Sequence, residues 1–260
     1  MRTIVLILTL GLLSFQDIKA QDIDSIQQNL QVLFQEANDA YRSENYGSAQ
    51  EIYQSIEDSS WVSAELYLNI GNTFYQQQQL APSIYYFEKG LLLDPANEDL
   101  AKNLEIANRN TIDQINALPQ SVYQKIDAKF FKSLSVNQWA LLTVFMSFVF
   151  GLSFLFFHFS VTPTKRRIFF ISSILSAALL LASLGISFKE YSEFEADRPA
   201  IVFIQEVKVK NAPLENAEDE FLLHEGTKVQ VLDQIDLWRK ISIKDGSQGW
   251  VQSKTIKELK

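Results

Sequence analysis

Two long uncharged stretches constrain the fold of this chain more than any other feature. Ser133–Thr164 contains no charged residue and has its apolar centre at Trp139–Phe159, and Ile168–Phe188 is likewise uncharged. A helix needs about 20 consecutive apolar residues to cross a bilayer, and both stretches supply them. We therefore predict transmembrane helices over 137–160 and 168–188.

The segment between the two stretches predicts their orientation. Residues 161–167 contain Lys165, Arg166 and Arg167, and a short basic loop is typical of the cytoplasmic side. Three lysines that precede the first stretch weaken this signal. Small residues at four-residue spacing in the second stretch, Ser172 with Ser176 and Ala178 with Ala182, favour close helix packing and predict a tight hairpin.

The N-terminal 20 residues have the features of a secretory signal peptide. Arg2 is the positive charge, Ile4–Phe15 is an apolar run and Ala20 is a small residue suited to cleavage. An uncleaved anchor is the alternative, because Asp17 and Ile18 fit a cleavage site poorly. With an exported N-terminus and two crossings, both flanking regions are expected on the exoplasmic side.

Charge and composition exclude several classes of function. Residues 21–121 carry 15 acidic against 4 basic residues, whereas 198–260 carry 10 of each, so nucleic acid is not an expected partner. The chain has no cysteine and only two histidines, His158 and His224. No nucleophile elbow, phosphate-binding glycine loop or metal-ligand cluster is present, so we expect neither an enzyme nor a cofactor or metal. His158 is expected at the membrane interface and His224 in a surface turn.

The segment before the first span contains an internal repeat. Leu30–Ser63 aligns position by position with the segment that follows it, Ala64–Asn97. Small and large apolar residues coincide in pairs: Leu33/Tyr67, Ala37/Gly71, Ala40/Phe74, Tyr41/Tyr75, Tyr46/Leu80, Ala49/Ser83, Tyr53/Phe87 and Trp61/Pro95. A repeat of this length is typical of stacked pairs of helices.

These residues resemble the tetratricopeptide repeat (TPR). The resemblance implies a TPR domain over 24–117 with two repeats, 30–63 and 64–97, and a capping helix that begins after Asn97. The predicted helices are Asp24–Arg42, Tyr46–Asp58, Trp61–Gln78, Leu80–Leu92 and a fifth that reaches about Ile115.

The resemblance also implies a peptide-binding groove lined by the first helix of each repeat. Its positions correspond to Asn38, Tyr41, Arg42, Asn72, Tyr75 and Gln76. Glu65 and Asp99 stand where related proteins have bases for a terminal carboxylate, so we expect a basic or amphipathic helical ligand. The alternative is that these polar side chains only solvate the inner face.

A small all-β module is predicted at 198–260, after the linker 189–197. Short runs of period two at Val202–Phe203, Val207–Lys210, Lys228–Leu232, Arg239–Ile243 and Gly249–Val251 predict five strands in a partly open barrel. A hairpin turn is expected at Asp245-Gly246.

The run Leu223–Val229, followed by Trp238 and Trp250, resembles a bacterial SH3 domain. Trp238 is the expected ligand surface of this module, with Ile241 inward. Gln252 and Thr255 replace the Pro and Tyr that line a polyproline groove, so a partner protein and cell-wall peptide both remain open as ligands.

The order of signal peptide, TPR pair, juxtamembrane linker (118–136), transmembrane hairpin and SH3 module resembles the BatE family of the Bacteroidetes aerotolerance (Bat) operon. The runs 97–100 and 223–229 carry this likeness best. It implies a multi-pass inner-membrane protein with its TPR and SH3 domains in the periplasm. The implied partners are Bat-type membrane proteins with von Willebrand factor A domains and a MoxR-type ATPase.

We therefore expect a non-enzymatic scaffold that binds protein or peptide partners through its TPR groove and SH3 module. The alternative hypothesis is a cell-envelope sensor whose SH3 module binds peptidoglycan.

Overall fold

The computed structural model describes residues 27–115, 118–119, 121, 125, 127–131 and 134–259. The predicted signal peptide lies outside the described residues. The chain divides into two compact units. The first unites the helices up to Ile115 with the C-terminal strands, and the second contains the two long apolar helices.

Five helices form the N-terminal part of the first unit. The first, α1, covers 27–42 of the described chain, and the others are α2 (Tyr46–Asp58), α3 (Ala64–Gln76), α4 (Leu80–Leu93) and α5 (Glu98–Asn108). Asn45, Ser63 and Asn97 start α2, α3 and α5, because each side chain accepts a hydrogen bond from the backbone N–H three residues further on. The start of α5 after Asn97 was predicted, whereas α5 ends before the expected Ile115.

The period of the sequence repeat is also the period of the helices. Tyr46, which starts α2, aligns with Leu80, which starts α4, and α3 and α5 start at equivalent positions in the same way. The turns that follow α1 and α3 are equivalent too. Glu44 and Gln78 both have φ of +60°, and the next N–H bonds back to the carbonyl of Ala40 or Phe74 at 2.9 Å. Both helices therefore end in the same left-handed cap.

The core of this helical part lies between the helices at the repeated apolar positions. Its most deeply buried side chains are Tyr53, Ile56, Leu66, Ile70, Ile84, Phe87 and Leu100. Helices α3 and α4 approach closely at Gly71, where an added Cβ would lie 2.5 Å from the Phe87 ring. This explains the small residue at that repeat position, since full burial of Phe87 contributes about 1.5–3 kcal/mol.

The C-terminal part of the first unit is a seven-stranded antiparallel sheet. Its strands are β1 (Pro199–Val202), β2 (Glu206–Lys210), β3 (Asp219–His224), β4 (Lys228–Ile235), β5 (Trp238–Ser242), β6 (Gln248–Gln252) and β7 (Ile256–Glu258). The order across the sheet is β3-β2-β6-β5-β4-β1-β7. The Asp245-Gly246 turn joins β5 to β6 as predicted, with Ile243 N–H bonded to Ser247 O at 3.1 Å.

The predicted C-terminal all-β module is confirmed, but over the described residues it has seven strands instead of five and its sheet is not closed into a barrel. β3 and β7 were not predicted, and they are the two edges of the sheet. Within the described residues these edges are not hydrogen-bonded to each other, so the sheet is not closed into a barrel. A three-residue strand such as β7 is too short for period-two alternation to reveal.

Two helices of the second unit are long and apolar enough to cross a membrane: α6 (Val136–Phe159) and α7 (Pro163–Ala196). A capping box between Ser135 and Gln138 starts α6. The connection is only 160–162, so the basic residues expected in a loop lie in the first turns of α7. α7 also continues past the predicted end at Phe188.

Small side chains lie between these two helices. Ser153, Ser173, Ser176 and Ser183 are buried although most apolar side chains of α6 and α7 are exposed. The hydroxyls of Ser153 and Ser172 are 3.1 Å apart, and the rings of Phe156 and Phe169 stack at 5.2 Å. The close packing predicted from small residues is therefore observed at Ser172 and Ser176, whereas the second predicted pair, Ala178 and Ala182, is exposed.

Candidate functional site

Helices α1, α3 and α5 are neighbours on one face, joined by an asparagine pair that repeats with the sequence period. Asn69 Nδ2 donates to Asn38 Oδ1 at 3.1 Å, and at the equivalent positions of the next repeat Asn103 Nδ2 donates to Asn72 Oδ1 at 2.9 Å. Tyr53 also donates its hydroxyl to Asn38 Oδ1 at 2.6 Å. Burial raises the pKa of Tyr53 to about 12, so this donor stays protonated.

Both predicted groove asparagines, Asn38 and Asn72, therefore have a fixed orientation. Their oxygens accept from neighbouring side chains, which leaves Nδ2 as the group available to a ligand. In the described part of the chain neither Nδ2 donates to a protein acceptor. Both residues are only half-buried, so an acceptor such as a peptide carbonyl can approach them.

The other four predicted groove residues differ in their surroundings. Tyr41 packs edge-on against Tyr46 at 5.4 Å, whereas Arg42 is exposed in a 3.1 Å ion pair with Asp39. Tyr75 and Gln76 line a surface pocket of about 440 Å³. The structure thus brings Tyr75 and Gln76 together and leaves Tyr41 and Arg42 one repeat away.

The other walls of this pocket come from both parts of the unit. We call it the junction pocket, and its lining residues are Tyr75, Gln76, Gln78, Leu80, Asn110 and Glu225. Asn110 Nδ2 donates to Tyr75 Oη at 2.9 Å. Glu225 reaches the pocket from the turn between β3 and β4, so the pocket exists only because the sheet packs on the helices.

That packing, the helix–sheet junction, is centred on Asp113, which follows α5. One carboxylate oxygen accepts from His224 N–H at 2.7 Å and from the Thr227 hydroxyl at 2.6 Å. The other lies 2.7 Å from His224 Nδ1. Burial raises the pKa of Asp113, but the hydrogen bonds from Thr227 and His224 lower it by more, so it lies below its usual value of 3.8.

Gly226 lets the β3–β4 turn lie directly against the helices. Its φ is +83°, and an added Cβ would be 2.9 Å from Ile84 Cδ1 and 3.0 Å from Thr111 Cγ2. Only glycine combines this backbone conformation with so close an approach. Ile201 and Leu259 of the sheet are buried in the helical core, so the junction is apolar as well as polar.

Charged and aromatic contacts extend the junction along α4. Lys228 donates to Glu88 at 2.7 Å. Lys257 lies 4.4 Å from the centre of the Tyr85 ring, which packs edge-on against Phe203. The helical part and the sheet are consequently one compact body.

The sequence does not reveal the junction by pattern, and His224 was assigned to a surface turn. The feature that could have indicated a contact is the run 223–229. His224 and Thr227 bond to Asp113 after α5, and Gly226 and Lys228 contact α4, which explains this cluster of polar residues beside a glycine.

The predicted SH3 ligand surface has a mixed outcome. Ile241 is buried as expected and Trp238 is half-buried on β5. Gln252, which pairs with Trp238 across the strands, donates to Glu215. Thr255 is buried and donates to the Gln252 carbonyl at 2.7 Å. Trp238 as a ligand-binding residue remains a prediction.

One acidic cluster in the second unit has the spacing of a metal site. Carboxylate oxygens of Asp127, Glu190 and Glu193 lie within 4.8 Å of one another. Lys189 Nζ already contacts them, at 2.6, 3.2 and 3.1 Å. The ammonium group neutralises the carboxylates in the place that a metal ion would take.

No protein-family model matches the chain, and no curated protein matches it significantly in sequence.

Proposed function

We propose that the protein is a non-enzymatic, membrane-anchored scaffold that binds polypeptide partners on the face of α1, α3 and α5. The observation that carries the proposal is the repeated asparagine pair of this face. It engages the oxygens of Asn38 and Asn72 and leaves their amide donors, at equivalent positions of the two repeats, for a ligand. Regularly spaced amide donors suit the main-chain carbonyls of an extended or helical peptide.

The helical part is proposed to be a TPR domain. Support comes from the helix starts, left-handed caps and asparagine pairs, which all recur at equivalent positions of the two repeats. The C-terminal sheet is proposed to be an SH3-related module in which the edge strands β3 and β7 do not pair with each other. Two glycines support this: Gly226, with φ of +83°, forms the tight turn between β3 and β4, and Gly249 lets β6 lie close to Val209 and Lys210 of β2.

The helix–sheet junction supports a proposal for the membrane arrangement. Because the parts before and after α6 and α7 pack together, the segment between them must cross a membrane an even number of times. We propose that α6 and α7 cross once each as a hairpin. Its basic end lies in the cytoplasm and the soluble body lies in the periplasm, at the bacterial inner membrane.

The resemblance to the BatE family supports a more specific setting for the scaffold. We propose Bat-type membrane proteins with von Willebrand factor A domains as partners. The acidic excess of the helical part favours a basic partner segment.

Site-specific photo-crosslinking in native membranes tests the binding face. A photoreactive phenylalanine analogue is placed at Arg42 or Gln76 of the full chain, with Ser55, exposed on α2, as the control position. We expect the first two to yield the same adduct, identified by mass spectrometry as a von Willebrand factor A-type membrane protein. Equal yield from Ser55, or no polypeptide adduct at Arg42 and Gln76, would contradict the proposal.

A further inference from the structure

The junction pocket has an unusual balance of hydrogen-bonding groups. Asn110 Nδ2 donates both to Tyr75 Oη at 2.9 Å and to Ile106 O at 3.2 Å. Both N–H groups of this amide are thus used, and only its oxygen remains for a ligand. The Asn110 oxygen is therefore a fixed hydrogen-bond acceptor in the pocket, next to Tyr75 at the end of α3.

Glu225 adds a negative charge to the same pocket. Its carboxylate has no ion-pair or hydrogen-bond partner among the residues that the structure describes. The flanking residues fix its position, since His224 and Thr227 bond to Asp113 and Gly226 packs on α4. A half-buried carboxylate held in this way is prepared to pair with a cation.

The remaining walls suit the body of a cationic side chain. Tyr75 offers an aromatic face that attracts a cation, and Leu80 offers an apolar contact to a methylene chain. The amides of Gln76 and Gln78 can turn either an oxygen or an N–H group to a ligand. Guanidinium and ammonium groups have donors and no acceptors, which matches the two fixed acceptors of the pocket, the Asn110 oxygen and the Glu225 carboxylate.

We propose that the junction pocket binds a basic side chain, arginine or lysine, of a partner polypeptide. The inference rests on the proposed function and adds to it: the end of the helical binding face is completed by Glu225 from the sheet. The volume of about 440 Å³ admits a side chain with its adjoining main chain. The equivalent turn of the first repeat, around Glu44, contacts no sheet residue in any of the described contacts and has no such pocket among those described.

The matched pair of N-acetyl-arginine amide and N-acetyl-citrulline amide tests the proposal. The two probes have nearly the same shape, but citrulline replaces the guanidinium with a neutral urea. Binding to the full-length protein in detergent micelles is followed by NMR titration. We expect arginine to bind roughly tenfold more tightly than citrulline, and the difference to shrink in high salt.

Two variants identify the group responsible. Glu225→Gln should abolish the preference for arginine, whereas Glu44→Gln, at an exposed acid of the same helical part, should leave it unchanged. Equal binding of both probes to the wild type, no binding of either, or a preference that survives in Glu225→Gln would overturn the inference. Crosslinking at Arg42, which does not line the junction pocket, is independent of this result. A partner captured there without any arginine preference would refute the pocket assignment and leave the scaffold standing.

Discussion

Removal of the Asp113 carboxylate should open the helix–sheet junction. The side chain is 13 % exposed and accepts hydrogen bonds from three donors within 2.7 Å. A hydrogen bond to a charged group contributes about 1.5–3 kcal/mol, and such contributions do not add fully when the bonds share one acceptor group. For Asp113→Ala we therefore expect the junction to lose about 3 kcal/mol, because the donors of His224 and Thr227 are left unsatisfied.

The asparagine variant separates charge from shape. In Asp113→Asn the amide oxygen can accept from His224 N–H and Thr227, while the amide nitrogen donates to a neutral His224 ring. The loss should then be only about 1 kcal/mol. Asp39→Ala is the surface control, since Asp39 forms an ion pair that is 72 % exposed on both sides and is worth at most about 1 kcal/mol.

Hydrogen–deuterium exchange of the full-length protein measures these losses at the junction itself. The His224 amide is the direct reporter, because its N–H bonds to Asp113. A loss of about 3 kcal/mol corresponds to roughly 100-fold faster exchange in Asp113→Ala. Unchanged exchange of the 224–228 segment in that variant would refute the assignment of Asp113 as the centre of the junction.

Three further predictions concern acid, the β3–β4 turn and the hairpin. The pKa of Asp113 is lowered in the folded state, so the stability that this carboxylate gives the junction should be complete above pH 3.8, the usual pKa, and be lost as the pH falls further. Hydrogen–deuterium exchange of the 224–228 segment as a function of pH measures this loss. Gly226→Ala should destabilise the junction by more than about 1–2 kcal/mol in thermal unfolding, because the backbone conformation is strained for alanine and the added Cβ collides with Ile84 and Thr111. Gly47→Ala is the control: the space around Gly47 is open, so this variant should be neutral or stabilising. Ser153→Cys with Ser172→Cys, in a chain that has no native cysteine, should form a disulfide on oxidation in membranes, and failure to crosslink would contradict the hairpin packing.

The helical part was predictable because its signals are local. Apolar periodicity fixes which face of each helix is buried, and Asn97 acts on an N–H group three residues away. The third helix was predicted from Trp61, but Ser63 caps it and α3 starts at Ala64. The repeat period then places equivalent helix starts without any knowledge of tertiary contacts. The end of α5 was mispredicted because 111–115 leave the helix to bond with the sheet, a tertiary effect.

The junction could not be derived from local pattern. Asp113 and His224 are 111 residues apart, and each alone is typical of a surface turn. The edge strands β3 and β7 were missed for a similar reason. β7 owes its extended form to pairing with β1, which lies far before it in the sequence. The junction pocket depends on the same long-range contact, since Glu225 joins Tyr75 and Asn110 only after docking.

The most direct test of the central claim is the sidedness of the two halves of the soluble body. Single cysteines at Ser55 in α2, at Ser247 after β5 and at Thr164 near the hairpin turn are treated with a membrane-impermeant maleimide in intact spheroplasts. If the helical part and the sheet form one body and α6 and α7 cross as a hairpin, Ser55→Cys and Ser247→Cys should both be labelled, and Thr164→Cys should be labelled only after lysis. Labelling of Ser55→Cys and Ser247→Cys from opposite sides of the membrane would contradict the account.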